Sequence, residues 1–278
     1  MYIKFINALL AVCLLANINA NAQEDEKKDG KKQTYISLGP TNGLVVGTEK
    51  DSTVTREKEK TFSVSFGVVD IGLNSLQDKT DYTSAAAGAF LNVPNGYQNE
   101  NLFDLNTGKS WNVNVYPVLA SWTAHNGKKQ KVVFGTGIGL QMYNFRFNKP
   151  VTYVNTKVPE VYLDTVRSFS KNKLGMTYLS VPLMMTFKTK AGNKTWLLYG
   201  VGITGGYRLA SYMKQVTTQD GKEKDHNKFN FSDFNSCVTA EFGLEGYFRL
   251  YASYQLTALH ETILDQHPFC IGLRIGGI

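Results

Sequence analysis

Cysteine is scarce in this chain. Three occur in 278 residues. Cys13 lies inside an N-terminal apolar run, and Cys237 and Cys270 fall on separate strand-like segments. Two thiols permit one disulfide but no disulfide framework, and two buried free thiols are the simpler expectation. Histidine is nearly as rare, with four. His226 has Asp220, Glu223 and Asp225 near it in sequence but no metal-ligand spacing. Asp78, Asp81 and Asp104 lack the order of a calcium loop. No phosphate-binding glycine loop is present, so neither a cofactor nor a metal is expected. Past the first 22 residues no stretch approaches the roughly 20 apolar residues that a membrane helix requires. Membrane residence, if any, must come from strands, because a spanning segment has to satisfy its own backbone hydrogen bonds.

The N-terminus reads as a secretory signal over residues 1–22. Lys4 supplies the positive start, Phe5 to Ala16 the apolar core, and Ala20-Asn21-Ala22 the small-x-small cleavage site, leaving Gln23 as the mature start. Val12 argues against a lipoprotein reading of Cys13. The net charge of +7 would suit nucleic acid, but export argues against that partner; anionic lipid or polysaccharide fits better, and a simply solvated surface is the plainest reading. Residues 23–60 form a flexible periplasmic segment, opening on the charged tail Glu24 to Lys32. Tyr35 to Gly39 and Gly43 to Gly47 make a short alternating piece suited to a hairpin or to docking on a partner.

From residue 61 to 278 the signal is strict alternation. Val132, Phe134, Ile138, Leu140 and Met142 share one parity, and Val133, Gly135, Gly137, Gly139 and Gln141 share the other. Successive strand side chains point to opposite faces, so such a run has one greasy face and one small or polar face. Eight such segments are expected, at about 62–76, 110–124, 130–147, 175–188, 195–214, 235–244, 247–259 and 268–276. In the first the apolar parity switches near Val68, which predicts a bulge there. Connections alternate in length, with long ones at about 77–109, 149–174, 216–234 and 260–267 and short ones between. Four long and three short connections suit an eight-stranded antiparallel up-and-down transmembrane β-barrel with both ends in the periplasm. A soluble barrel would place charges on its outward parity. Here that second parity is Gly, Ser, Thr, Asn and Tyr, which favours the membrane reading.

Three segments also resemble the PorT-like outer-membrane β-barrel family of Bacteroidota. Phe66-Gly67-Val68-Val69-Asp70-Ile71-Gly72-Leu73-Asn74 is similar to its first strand. Tyr178-Leu179-Ser180-Val181-Pro182-Leu183-Met184-Met185 is similar to its Val-Pro-Leu strand, and Phe269 to Gly276 to its closing strand. The resemblance implies a barrel and an outer-membrane location. It implies no shared catalytic residues, and some related barrels take part in protein secretion. The last residue is Ile278, whereas many such barrels end on an aromatic.

Candidate functional residues follow from parity. Arg208, Glu241, Arg249 and Arg274 lie opposite the apolar residues and are expected inside. The interior of an eight-stranded barrel is just wide enough for side chains to fill it. Unpaired charge there is costly, so Glu241 is expected to pair with one or more of these arginines. An alternative, a lipid-modifying enzyme, would assemble His260 and Glu261 with Ser211 or Ser253 for acyl transfer. A small-solute channel is the other alternative. The long loops carry aromatics (Tyr82, Phe90, Tyr97, Phe103, Tyr153, Tyr162, Phe169) that would either bind a surface ligand or pack on one another. The expectation is a non-enzymatic outer-membrane barrel with a structural or interaction role, possible accessory to export or envelope assembly, contacting lipopolysaccharide and a protein partner.

Overall fold

A computed structural model describes residues 33–39, 43–49, 62–94, 96–155, 159–192 and 195–276. The expected leader, charged tail, linker at 51–60 and final two residues lie outside the described residues. The chain runs β1 (Gln33–Gly39), β2 (Gly43–Glu49), β3 (Phe62–Asp78), α1 (Ala85–Phe90), β4 (Leu91–Asn92), β5 (Trp111–Asn126), β6 (Gln130–Arg146), β7 (Val151–Asn155), β8 (Pro159–Leu163), β9 (Phe169–Lys190), β10 (Trp196–Thr217), β11 (Gly221–His226), β12 (Phe234–Leu244), β13 (Arg249–Gln255) and β14 (Gln266–Ile275).

Eight of these strands form a ring of antiparallel pairings. β3 pairs with β5, β5 with β6, β6 with β9, β9 with β10, β10 with β12, β12 with β13, β13 with β14, and β14 with β3. The ring sits within a larger sheet. β2 adds to β3 through Leu44↔Phe66 to Val46↔Val64, β1 pairs with β2, and β11 extends from β10. Each ring strand coincides with one alternating segment of the sequence. β9 and β10 run longer than expected, 22 residues each, because their outer ends pair with each other past the apolar region.

The parity switch in β3 has a local cause. Gly67 has φ +72°, a backbone conformation that L side chains rarely adopt. Phe62 and Phe66 lie on the outward side before it, and Val68 and Asp70 are fully buried after it. On β5 the same switch falls at Pro117, between buried Tyr116 and outward Val118. Phe66 faces Val118 and Val68 faces Tyr116, with no pair recorded for Gly67 and Pro117 between them. A proline cannot donate to the ladder and is tolerated where the ladder is already interrupted. Two neighbouring strands therefore flip parity at one level, and each keeps its apolar side chains outward.

The resulting polarity is inverted relative to a soluble protein. Ile138, Val201, Leu183 and Ile271 are more than half exposed on the outer surface, while Asp70, Asn112, Asn114, Gln141, Ser180 and Thr186 are fully buried inside. Aromatic pairs mark both limits of the apolar zone. Trp122 stacks on Phe134 and Phe187 on Tyr199 toward the short turns, and Tyr207 packs on Phe234 toward the long loops.

The long loops close over one end. Ser84 accepts a hydrogen bond from the Ala87 N–H at 3.2 Å, capping an alanine-rich turn that becomes α1. β4, β8 and β7 form a small separate sheet. These pieces drop Phe90, Leu102, Phe103, Tyr153, Phe231 and Leu259 onto Phe145, Leu174, Met176, Tyr178 and Met213 of the ring strands. Of the two uses expected of the loop aromatics, packing on one another is the one that Phe90, Phe103 and Tyr153 serve. Tyr97 stays 45% exposed.

Candidate functional site: an interior closed by charge and by a cap

Alternation delivers four ionised side chains to one level of the interior, from four consecutive strands of the ring. They are Asp70 of β3, Glu241 of β12, Arg249 of β13 and Arg274 of β14. Each is at most 5% exposed. Arg274 grips Asp70 with two bonds, Nε to Oδ1 at 2.6 Å and Nη2 to Oδ2 at 2.9 Å, the planar bidentate geometry that favours arginine. Its Nη1 donates to Glu241 Oε2 at 3.0 Å, and Arg249 Nη1 donates to the same oxygen at 3.0 Å. Thr186 donates to Glu241 Oε1 at 2.8 Å, and Arg249 Nη2 donates to the Gly276 carbonyl. Two acids and two bases leave no net charge in the cluster.

Neutral donors complete it. Asn114 Nδ2 donates to Asp70 Oδ2 at 3.2 Å and to Tyr251 Oη at 2.9 Å. The guanidinium of Arg274 lies 5.2 Å from the Tyr251 ring centroid and 5.7 Å from that of Tyr116, within reach of cation–π attraction. Cys237 and Cys270 are buried free thiols, and Cys270 lies beside this network. Cys270 Sγ lies 3.6 Å from both Asn112 Oδ1 and Tyr251 Oη.

Arg208 does not join the cluster. Gly200 faces Glu241, so Arg208 stands eight residues further along β10, roughly 26 Å at the usual strand rise. Parity assigns a face, and height decides a partner. Arg208 instead donates to Asp233 Oδ1 at 2.6 Å, to the carbonyls of Phe231 at 3.0 Å and Ser232 at 3.1 Å, and to Ser211 Oγ at 2.9 Å. It fastens the loop before β12 to the ring. The fourth member of the cluster is instead Asp70, a second acid that the sequence reading did not name. The signal for it was charge balance, since two interior arginines need two acids and Asp70 acquires interior parity once the Gly67 switch is counted.

The acyl-transfer alternative does not assemble. His260 is buried among Phe90, Tyr153 and Phe231, and neither ring nitrogen has a hydrogen-bond partner. It therefore bonds to none of Glu261, Ser211 or Ser253. Burial holds it neutral, with its pKa pushed down to about 3. The Ser211 hydroxyl donates to the Asn227 carbonyl. Among the described residues no group of three or more His, Cys, Asp or Glu is placed to hold a metal ion.

The charge cluster thus lies toward the turn end of the ring and the apolar cap at the loop end. Comparison with known proteins adds context. No curated protein matches the chain. Among solved structures, Ail, the attachment invasion locus protein of Yersinia pestis, aligns over 75% of this chain and 97% of its own, at 11% identity and a TM-score of 0.28. The family described as "Outer membrane protein beta-barrel domain" matches residues 77–263, more than half of the sequence, and this chain belongs to that family and resides in the outer membrane.

Proposed function

We propose that this protein is a closed, eight-stranded, up-and-down transmembrane barrel that neither conducts solutes nor catalyses a reaction, and that it serves as an anchored interaction platform. The observation that carries this reading is the inverted polarity around a filled interior. On β10 the outward residues run apolar or aromatic from Tyr199 to Leu209, broken only by Gly205. That stretch matches the roughly 9–11 residues a tilted strand needs to cross a bilayer. Soluble monomers rarely expose so large a continuous apolar surface. Within this reading residues 1–22 are a cleaved signal peptide, and the similarity of residues 66–74, 178–185 and 269–276 to PorT-like barrels supports that narrower family. Lipopolysaccharide is the lipid partner.

Strand β1 pairs only with β2 among the described residues, so its outer edge offers backbone groups to a strand from a periplasmic partner. Accessory service to export or envelope assembly fits that edge. Planar-bilayer recording tests the sealed interior, and the expected result is no conductance step at any applied voltage. Stable open steps would return the channel reading. Purification of the native complex, with the full chain and with one lacking residues 33–49, tests the edge. A partner lost on deletion supports the platform, and an identical partner set in both removes the edge from it.

A further inference from the structure

Above the apolar zone, the outward face of the sheet carries cations directly opposite one another across three ring strands and the added strand β11. Arg146 of β6 faces Lys173 of β9, Lys173 faces Lys214 of β10, and Lys214 faces Lys224 of β11. Like charges directly opposite in a sheet repel and are destabilising. Among the described residues no carboxylate interrupts this row. β11 alternates Lys222, Glu223, Lys224 and Asp225, so strand periodicity sends its lysines to one face and its acids to the other. The acids are already engaged, Glu223 by Arg167 at 2.9 Å and Asp225 by Asn227 at 2.9 Å.

The row is built rather than merely crowded. Tyr212 lies flat beneath it, with Lys224 Nζ 4.0 Å and Lys173 Nζ 5.5 Å from the ring centroid. Gly175 makes that floor possible, since a Cβ there would stand 2.2 Å from the Tyr212 ring. Lys173 Nζ is further held by Asn144 Oδ1 at 2.6 Å. At the end of the row a cleft of about 300 Å³ opens beside Arg146 and is lined by Lys109 and Lys149 but by no acid. Burial first, and neighbouring cations second, hold the amines of Lys171, Lys173 and Lys214 below the usual lysine range.

Position identifies the occupant. Arg146 is four residues beyond outward Met142, and Lys214 is five beyond Leu209, roughly 13–17 Å along tilted strands. At a strand tilt of roughly 40° this is about 10–13 Å in height, so the row lies above the hydrocarbon, among the polar head groups, and on the lipid-facing side. We infer that the Arg146–Lys173–Lys214–Lys224 row and its adjoining cleft bind the phosphate groups of an outer-leaflet glycolipid, a site that orients the barrel and holds a lipid shell at its outer rim. This rests on the transmembrane reading above.

The test uses the full-length protein in nanodiscs of zwitterionic lipid doped with lipid A carrying its phosphates, or with lipid A enzymatically dephosphorylated, and measures the retained lipid by native mass spectrometry. Wild type is expected to retain the phosphorylated form preferentially. Lys173→Gln, Lys214→Gln and Lys224→Gln together should weaken that retention by about 100-fold, at about a tenfold loss for roughly each one to two surface cations removed. In zwitterionic lipid alone the triple variant is expected to be the more heat-resistant, because the repulsion is relieved. Phosphorylated lipid A should close that gap for wild type only. Equal retention of the two lipids, equal retention by wild type and variant, or displacement of lipid A by millimolar inorganic phosphate would each overturn the proposal. Failure of wild type itself to insert and to show heat-dependent gel mobility overturns the barrel reading instead.

Discussion

Removing Glu241 should unbalance the interior charge cluster. Its Oε2 is shared by Arg249 and Arg274 at 3.0 Å each, and its Oε1 accepts from Thr186 at 2.8 Å. Glu241→Ala leaves two guanidinium groups with one carboxylate, Asp70, which is already engaged bidentately by Arg274. Arg249 then keeps only the Gly276 carbonyl. Breaking a buried pair by deleting one partner costs about 3–5 kcal/mol, because an uncompensated charge stays behind, and the orphaned Thr186 hydroxyl adds about 1 kcal/mol. The assay is urea unfolding of vesicle-inserted protein, followed by tryptophan fluorescence and by the mobility of unheated samples. Trp111 and Trp122 lie about half exposed on the outer face, so their emission reports the loss of lipid contact. Glu241→Ala combined with Arg249→Met restores neutrality and should recover about 2 kcal/mol or more relative to the sum of the single changes. A Glu241→Ala variant within about 0.5 kcal/mol of wild type, or a strictly additive pair, would refute the account of the interior as an electrically balanced plug.

The cap should respond to acid through His260. Its folded pKa is pushed down to about 3, so the closed cap stays unprotonated while an opened cap takes up a proton below about 6.5. Cap stability is therefore complete above pH 6.5 and is lost as pH falls toward 3, by about 1.4 kcal/mol per unit, or roughly 2.7 kcal/mol by pH 4.5. Hydrogen exchange of residues 85–92 and 256–264 reads this directly, and His260→Leu should flatten the profile; identical profiles for the two proteins would dismiss the assignment. Gly67→Val should cost about 1–2 kcal/mol, from the left-handed backbone alone since no atom crowds the site, and an unchanged thermal midpoint would remove the glycine as the origin of the parity switch.

Strand number, strand location and which parity faces outward were legible in the sequence, because alternation with period two is a local property of the backbone. Leu179, Val181 and Leu183 declare their face without reference to any neighbour. The parity of Glu241, Arg249 and Arg274 likewise placed them inside. Pairing was only half legible. Arg208 shares their parity but stands about eight residues away in height, and height follows from strand register, which long loops leave undetermined. Asp70 takes its interior parity from the switch that the alternation itself shows near Val68, but its partner was not legible, because nothing local says that Arg274 of the last strand stands opposite it.

The loops resisted reading for a different reason. Their aromatics lack periodicity, so nothing local distinguishes Phe90, Phe103 and Tyr153, which build the cap, from Tyr97, which stays exposed. The cationic row was equally hidden: Arg146, Lys173, Lys214 and Lys224 are scattered over 79 positions. The sequence alone determined an inverted, alternating all-β chain suited to a membrane, because that information repeats every two residues. Only the tertiary structure decided which charges meet, what closes the interior and where like charges stand unopposed, because those depend on register and loop closure between distant segments.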